Sequence, residues 1–160
     1  MRIRPFRDDD APALAQLFHA AVHGIGALHY TQAQVAAWSP APADPARFAA
    51  RGGDGRTLLV AADEGDRPIA YGDVEGDGHV DHLYCAPEHA GTGITAALYA
   101  AIEAAARARG VARLYVEASE PARRFFLNTA SPNCTGGTSR SAASPFTIMR
   151  WRSGWGEAGP

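Results

Sequence analysis

Two glycines near the middle of the chain, Gly91 and Gly93, stand where a strand-like pattern gives way to a long helical one. The strand pattern ends at Cys85, and the helical pattern covers residues 93–109. Backbone N–H groups at the start of a helix attract anions, and glycines let a bulky phosphate approach the backbone closely. The spacing therefore predicts a pyrophosphate site made from five backbone amides. These belong to Gly91, Thr92, Gly93, Ile94 and Thr95.

The same glycines have two other interpretations. They form a tight turn with a purely structural role, or they belong to a nucleotide-binding loop. A dinucleotide fingerprint needs a further glycine at the sixth position, close after the first strand. Here Ala96 occupies that position, and the preceding strand is the fourth of the chain. The sequence disfavours the nucleotide loop and leaves the structural turn open.

The elements that position this turn indicate an α+β domain. Strand-like runs cover residues 2–6, 57–62, 68–74, 79–85 and 112–118. Helical runs end near residues 23, 38, 50 and 109, and a last one follows residue 119. The predicted N-caps of the second, third and last helices are Thr31, Asp44 and Ser119. Because three strands form a block before the next strand, we expect an antiparallel meander rather than a doubly wound sheet.

Three segments resemble the GNAT N-acetyltransferase family. The run LYCAPEHAGTGITAAL is similar to its acetyl-CoA motif, in which a strand leads through a proline to a Gly-x-Gly turn and a helix. IRPFRDDDAPALAQLF resembles its first strand and helix, and VEASEPARRFF its fifth strand and last helix. The resemblance covers residues 1–127, which we expect to form the acyltransferase domain. It implies a mixed, mostly antiparallel central sheet flanked by helices.

The resemblance also implies an activity, which is transfer of an acetyl group from acetyl-CoA directly to an amine of a small molecule or protein. The backbone of Leu83, Tyr84 and Cys85 is expected to face the pantetheine arm and the acyl carbonyl. Residues 91–95 are expected to hold the pyrophosphate. Ser119 stands where the family often has an asparagine that contacts the cofactor. No metal is implied, and a homodimer is one state to expect.

Three residues depart from the family pattern. Phe126 replaces a tyrosine that protonates the leaving thiolate in many members, and phenylalanine donates no proton. Ala90 replaces a glutamine or arginine, and Thr95 replaces a glycine or alanine. Phe126 and the atypical tail after residue 127 favour an alternative function, a non-catalytic or defective CoA-binding module, whereas Ala90 and Thr95 bear on the strength of CoA binding.

The reaction needs a base for an ammonium nucleophile and a polarised thioester carbonyl. Asp81 and His79 lie on the predicted fourth strand, where alternation places them on the face of Leu83 and Cys85. We predict these two side chains as candidate bases. The alternatives are that Asp81 bonds a turn and that His79 is a solvated edge residue.

The acceptor side of the site is expected near the loop between the first two helices, which borders the acceptor in the resembled family. His29 and Tyr30 lie in this loop and are predicted to bind substrate. For Tyr30, packing against the core is the alternative. The residues do not identify the acceptor itself.

The family pattern ends after residue 127. Residues 128–160 are rich in Ser, Thr, Gly and Pro, with one strand-like stretch at 145–152. Shifting the reading frame near Asn128 permits the string HGFTELHRRDFEVRGVPIHNYAMEK over residues 128–153, which looks like a normal ending for this family. We therefore hypothesise a change of reading frame at this point.

Composition excludes several classes of protein. The chain has 160 residues, a net charge of −2 and no lysine, which disfavours a nucleic-acid binder. Its polar N-terminus is unlike a signal peptide, and its apolar runs are too short to cross a membrane. Cys85 and Cys134 form no CxxC pair, which disfavours a metal site. We expect a cytoplasmic protein.

Overall fold

The computed structural model describes residues 1–119, 122–123, 125–126, 134–138 and 149–154. The chain begins with strand β1, and three helices follow it. These elements are β1 Arg2–Pro5, α1 Ala11–Gly24, α2 Gln32–Trp38 and α3 Pro45–Gly53. The predicted caps of α2 and α3 are confirmed. The Gln34 amide donates to the Thr31 hydroxyl at 3.3 Å, and the Ala46 amide donates to the Asp44 carboxylate at 2.9 Å.

The first sheet is antiparallel and has the strand order β1-β2-β3-β5. Its later strands are β2 Thr57–Ala62, β3 Pro68–Val74 and β5 Leu83–Cys85. The predicted meander is confirmed. The prediction of one continuous strand over residues 79–85 is wrong, because the run is split. Its first part forms β4 His79–Val80, and the chain leaves strand geometry at Asp81 and His82.

The second sheet has the strand order β4-β6-β8-β7. It contains β6 Arg113–Ala118, β7 Cys134–Thr138 and β8 Met149–Gly154. The β4–β6 pair is parallel, and the other pairs are antiparallel. The single strand-like stretch expected at residues 145–152 overlaps β8, and β7 pairs with β8 as a further strand. The predicted boundary between residues 127 and 128 stays a prediction.

Both faces of the first sheet are covered, which explains the almost continuous apolar sequence of β2. Leu58, Val60 and Ala62 pack in one buried cluster with α1 and Phe48. The alternate residue Ala61 packs in a second cluster with helix α4 Ile94–Ala108. The expected mixed sheet flanked by helices is therefore confirmed.

A buried ion pair fixes β1 to the start of α1. The Arg4 guanidinium donates to both carboxylate oxygens of Asp10, at 2.7 and 2.8 Å. Both side chains are 8% exposed, and the pair holds the start of α1 against the sheet. In the part of the chain that the structure describes, no helix has the length and hydropathy needed to span a bilayer.

Candidate active site

A cleft opens where the two sheets separate. β4 pairs with β6 through His79–Tyr115 and Val80–Val116. Beyond the break at Asp81, β5 pairs with β3 of the other sheet instead, so that β5 and the last residues of β6 diverge. The break at the polar residues Asp81 and His82, between β4 and β5, therefore creates the cleft.

The edge of β5 presents backbone groups to this cleft. His82 accepts a hydrogen bond from Asp73 through its carbonyl, and Ala86 donates one to Ile69. Hydrogen-bonded positions alternate in an antiparallel pair, so the bonds to β3 fall on every second residue. The N–H and C=O groups of Leu83 and Cys85 therefore point away from β3, toward the cleft.

The glycine turn lies at the start of α4 and is open to solvent. Gly91 and Gly93 have φ angles of 77° and 86°, the left-handed region that favours glycine. A Cβ atom at either position would meet no atom within 4 Å. No side chain caps α4, and its first backbone bond runs from the Ala97 amide to the Gly93 carbonyl. The amides of residues 94–96 have no partner among the described residues, so the turn has the donors and the open space that a pyrophosphate needs.

The cofactor cleft runs from Thr95, in the first turn of α4, along β5 to Ser119 at the end of β6, and has a cavity volume of about 130 Å³. It is lined by Val22, Ile25, Trp38, Cys85, Thr95 and Ser119, among others. Leu83 and Tyr84 also line it. The structure thus brings together five of the residues that the sequence predicts as cofactor contacts, from three separate elements.

Cys85 is a buried thiol in the wall of the cofactor cleft, with a relative exposure of 6%. Burial raises the pKa of the thiol, and a hydrogen bond with the Thr95 side chain opposes this rise. The threonine that departs from the family pattern is therefore bonded to Cys85 across the cleft. The thiol stays protonated at neutral pH.

A second space, the Asp81 cavity, adjoins the cofactor cleft. Its wall contains Asp81, Glu117, Ser119 and Phe126, and it shares Trp38, Leu83 and Tyr84 with the cleft. Phe126 is 2% exposed and packs edge-on against Tyr99, with ring centroids 5.5 Å apart. Phe126 therefore forms an apolar part of the Asp81 cavity wall, and it is not among the residues that line the cofactor cleft.

Asp81 takes part in an ion-pair cluster. Nη2 of Arg51 lies 2.6 Å from a carboxylate oxygen of Asp81 and equally close to one of Asp73. Nη1 of Arg56 lies 3.5 Å from Asp81. Burial raises the pKa of Asp81, but the hydrogen bond from Arg51 and the positive charge of Arg51 oppose this rise, and the net shift is downward. Asp81 is therefore ionised at neutral pH.

His79 lies apart from both spaces. Its imidazole stacks on the Tyr115 ring, with centroids 4.9 Å apart, and its Nδ1 lies 3.4 Å from Glu75. The strand break ends the alternation that placed His79 on the face of Leu83 and Cys85. Of the two predicted bases, Asp81 thus lines the second of these two spaces and His79 lines neither.

His82 is a site residue that the sequence reasoning missed. Its ring contacts Phe18, Phe48 and Tyr71, with centroid separations of 5.7, 6.3 and 5.7 Å. Burial lowers its pKa to about 4, so that the imidazole is neutral at physiological pH. In the sequence, His82 stands out only because it is a second polar residue directly after Asp81, in a run where polar and apolar residues otherwise alternate.

Of the predicted acceptor residues, His29 is exposed and Tyr30 is half-buried. Neither lines the cavities described here, but the Tyr30 ring packs edge-on against Trp38 at 5.7 Å. Trp38 was also missed by the sequence reasoning. It lines both the cofactor cleft and the Asp81 cavity. Tyr30 therefore contacts the site through Trp38.

Three solved structures with similar architecture are named as acetyltransferases. A GCN5-related N-acetyltransferase structure from Rhodopseudomonas palustris is 30% identical to this chain, with a TM-score of 0.82 over 96% of this chain and 95% of the other. A ribosomal-protein-alanine N-acetyltransferase from Brucella melitensis is 22% identical, with a TM-score of 0.72 over 97% and 100% of the two chains. A phosphinothricin acetyltransferase from Sinorhizobium meliloti, solved with AcCoA, is 18% identical, with a TM-score of 0.70 over 98% and 89%.

A search among curated proteins gives no match. The sequence profile of the family described as "Acetyltransferase (GNAT) domain" matches residues 27–151, which is more than half of the chain. Together with the 30% identity to the Rhodopseudomonas palustris structure, this match shows that the chain belongs to the GNAT acetyltransferase family.

Proposed function

We propose that this chain transfers the acetyl group of acetyl-CoA directly to an amine, with the thioester held in the cofactor cleft beside β5. One observation carries the proposal. The backbone groups of Leu83 and Cys85 face a cleft that begins at the uncapped start of α4. A single channel therefore joins a phosphate site to a row of polar groups that can align a pantetheine arm.

The phosphate end of acetyl-CoA is assigned to the amides of Gly91 and residues 93–95, because the Thr92 amide and hydroxyl both donate to the His89 carbonyl, at 3.4 and 2.6 Å. The left-handed glycines, the open space before them and the partial positive charge of the helix start all favour an anion there. The Sinorhizobium meliloti relative, which was solved with AcCoA, has the same fold and supports this choice of cosubstrate.

The transfer step is assigned to the edge of β5. An N–H group of Leu83 or Cys85 donates to the thioester carbonyl and stabilises the oxyanion that forms when the amine attacks. The C–N bond forms as the C–S bond breaks, and the sulfur leaves as the CoA thiolate. Phe126 has no proton to give. We therefore assign to the Ser119 hydroxyl, which lines both the cleft and the Asp81 cavity, the relay of a proton from the newly acetylated nitrogen to the thiolate, so that the amide and the CoA thiol both leave neutral.

The ammonium form of the acceptor is assigned to the Asp81 cavity. Asp81 is ionised, and Glu117 adds a second carboxylate to the same wall. Their charge attracts the ammonium, and Asp81 receives its proton, directly or through water, before attack. His79 is not retained in this scheme. Tyr30 is proposed as a positioning residue that fixes Trp38.

A non-catalytic CoA-binding module is the second candidate function, and Phe126 is the observation that favours it. Without a tyrosine at this position, the release of thiolate depends on Ser119 or on solvent. Binding of acetyl-CoA without turnover of any amine would support this candidate. The acceptor, the cytoplasmic location and the homodimer stay predictions.

Isothermal titration of acetyl-CoA into the purified chain tests the proposal. We expect a micromolar dissociation constant, roughly 8 kcal/mol of binding free energy. Gly93→Trp fills the space before the turn and should abolish binding. The matched control is Gly110→Trp, because Gly110 is also left-handed and open but lies at the other end of α4. Equal binding by wild type and Gly93→Trp would overturn the phosphate assignment.

A further inference from the structure

A third space borders the proposed site, and none of the proposed catalytic steps takes place in it. This arginine cavity has a volume of about 300 Å³ and lies among α1, α2, α3 and the strand break. Its wall contains Phe18, Trp38, Arg47, Phe48, Arg51 and His82. Trp38 also lines the Asp81 cavity, so the two spaces share this residue as part of their walls.

The wall of the arginine cavity holds two guanidinium groups and no carboxylate. Arg47 is exposed, and it has no side-chain partner in the described part of the chain. Arg51 bonds Asp73 and Asp81 through Nε and Nη2 alone, which leaves its Nη1 without a partner among the described residues. Both arginines can therefore donate to a ligand without breaking an existing ion pair.

His82 adds a third donor to the same wall. The Tyr71 hydroxyl, which is completely buried, lies 3.1 Å from Nδ1 of His82 and has no other partner among the described residues. A buried O–H group that donates to nothing is costly, so Tyr71 donates to Nδ1. The proton of the neutral imidazole is then on Nε2, and the ring offers an N–H donor there.

The cavity therefore presents polar donors between apolar aromatic faces. Phe18 stacks on His82 with ring planes 6° apart, and Phe48 contributes a second aromatic surface. Unpaired N–H donors and positive charge select an anion, and guanidinium groups bind carboxylates with particular strength. The aromatic faces select an apolar body next to that anion.

We propose that the acceptor is an apolar α-amino acid, whose carboxylate binds Arg47 and the free Nη1 of Arg51 in the arginine cavity while its amine lies beside Asp81, which Arg51 contacts at 2.6 Å. This inference rests on the proposed function, because the acceptor amine must meet an acetyl thioester in the cofactor cleft. It fits the charges of the two neighbouring walls. Asp81 and Glu117 face the amine, and the two arginines face the carboxylate.

The test compares amino acids with their amides, which lack the negative charge but keep the amine. L-Phenylalanine, L-leucine and their carboxamides are offered with acetyl-CoA, and release of the CoA thiol is measured. We expect kcat/KM to be about tenfold or more higher for each acid than for its amide. Arg47→Gln should reduce this acid-over-amide ratio by a similar factor. Arg67→Gln, which removes an exposed arginine of the β2–β3 turn, should leave the ratio unchanged.

Direct binding separates this inference from the proposed function. N-Acetyl-L-phenylalanine and its amide are titrated into the chain without cofactor, and acetyl-CoA is titrated separately. Tighter binding of the acid, lost in Arg47→Gln but kept in Arg67→Gln, supports the arginine cavity even if no amine is turned over. If acetyl-CoA binds and amides react as well as acids, the inference fails and the proposed function stands. Equal or absent binding of acid and amide also overturns the inference.

Discussion

The phenol oxygen of Tyr71 lies 3.1 Å from Nδ1 of His82, and four aromatic rings surround this imidazole. The contact fixes the ring at the point where the fourth strand breaks, between the two sheets. A histidine held neutral in such a place responds to pH in a definite direction.

The stability of the protein should fall as the pH is lowered through the range in which His82 titrates in the unfolded chain. Its pKa is about 4 in the folded protein, against an ordinary value of 6.5. Between these values the unfolded state binds more protons, so stability is fully present above pH 6.5 and is lost toward pH 4. The total loss is on the order of 3 kcal/mol. Urea unfolding at pH 7, 6 and 5 measures it.

His82→Asn is the matched variant, because the Asn carbonyl can still accept from Tyr71 but does not titrate in this range. The difference between wild type and His82→Asn should shrink as the pH falls from 7 to 5. Other histidines and carboxylates contribute equally to both proteins. Parallel stability curves for the two proteins would show that His82 is not a buried neutral imidazole.

Gly78 should be essential for the joint between the two sheets. It has a φ angle of 94°, and a Cβ atom there would collide with the Arg113 carbonyl oxygen. Its own carbonyl accepts from the Tyr115 amide at 3.0 Å, next to the β4–β6 pair. Gly78→Ala should lower the free energy of unfolding by at least about 3 kcal/mol, from left-handed strain and overpacking together.

The control for this prediction is Gly110→Ala. Gly110 also has a left-handed φ, 76°, but a Cβ atom would meet nothing within 4 Å. Gly110→Ala should lower the free energy of unfolding by about 1–2 kcal/mol, from backbone strain alone. Chemical denaturation of the two variants measures the difference in their free energies of unfolding. Equal losses would mean that the close approach of Gly78 to Arg113 adds nothing to the cost of the substitution.

Much of the fold was predictable because it follows from local patterns. Thr31 and Asp44 act on amides two or three residues away, so their capping roles are visible in the sequence. The split of the predicted strand into β4 and β5 was not predictable in this way. Residues 79–85 alternate as one strand would, and the break at Asp81 is stabilised by Arg51, which lies thirty positions earlier in the chain.

The residues of the candidate site also fall into a group that local patterns predict and a group that they do not. The glycine turn and the edge of β5 act through the backbone, so the sequence predicted them from spacing and resemblance. The walls made of side chains depend on packing between distant elements. Trp38 and His82 reach the site because α2 and the strand break meet there, and no local pattern marks that meeting.

The encoding DNA should reveal a shifted reading frame after codon 127. The third letters of codons 128–153, read with the first two letters of the following codon, should spell HGFTELHRRDFEVRGVPIHNYAMEK or a near variant. Sequencing the gene directly from its source measures this. Third letters that spell no such ending would refute the hypothesis, and the sequence as written would then be the native one.

Cys85 should remain unmodified when the protein is incubated with acetyl-CoA. Its thiol lies in the wall of the cofactor cleft, where a covalent acetyl-enzyme is the alternative to direct transfer. Burial raises the pKa of the thiol, which keeps it protonated at neutral pH, and a protonated thiol is a poor nucleophile. Mass spectrometry of the intact chain at pH 7.5, followed by peptide mapping, measures the modification.

The chain unfolded in urea supplies the control, because both of its cysteines should then react with iodoacetamide. In the folded chain, Cys85 should react far more slowly. An acetyl group found on Cys85, and lost when an amine is added, would contradict direct transfer. It would mean that the Thr95 hydroxyl and the cleft activate the thiol despite its burial, and that the reaction proceeds in two covalent steps.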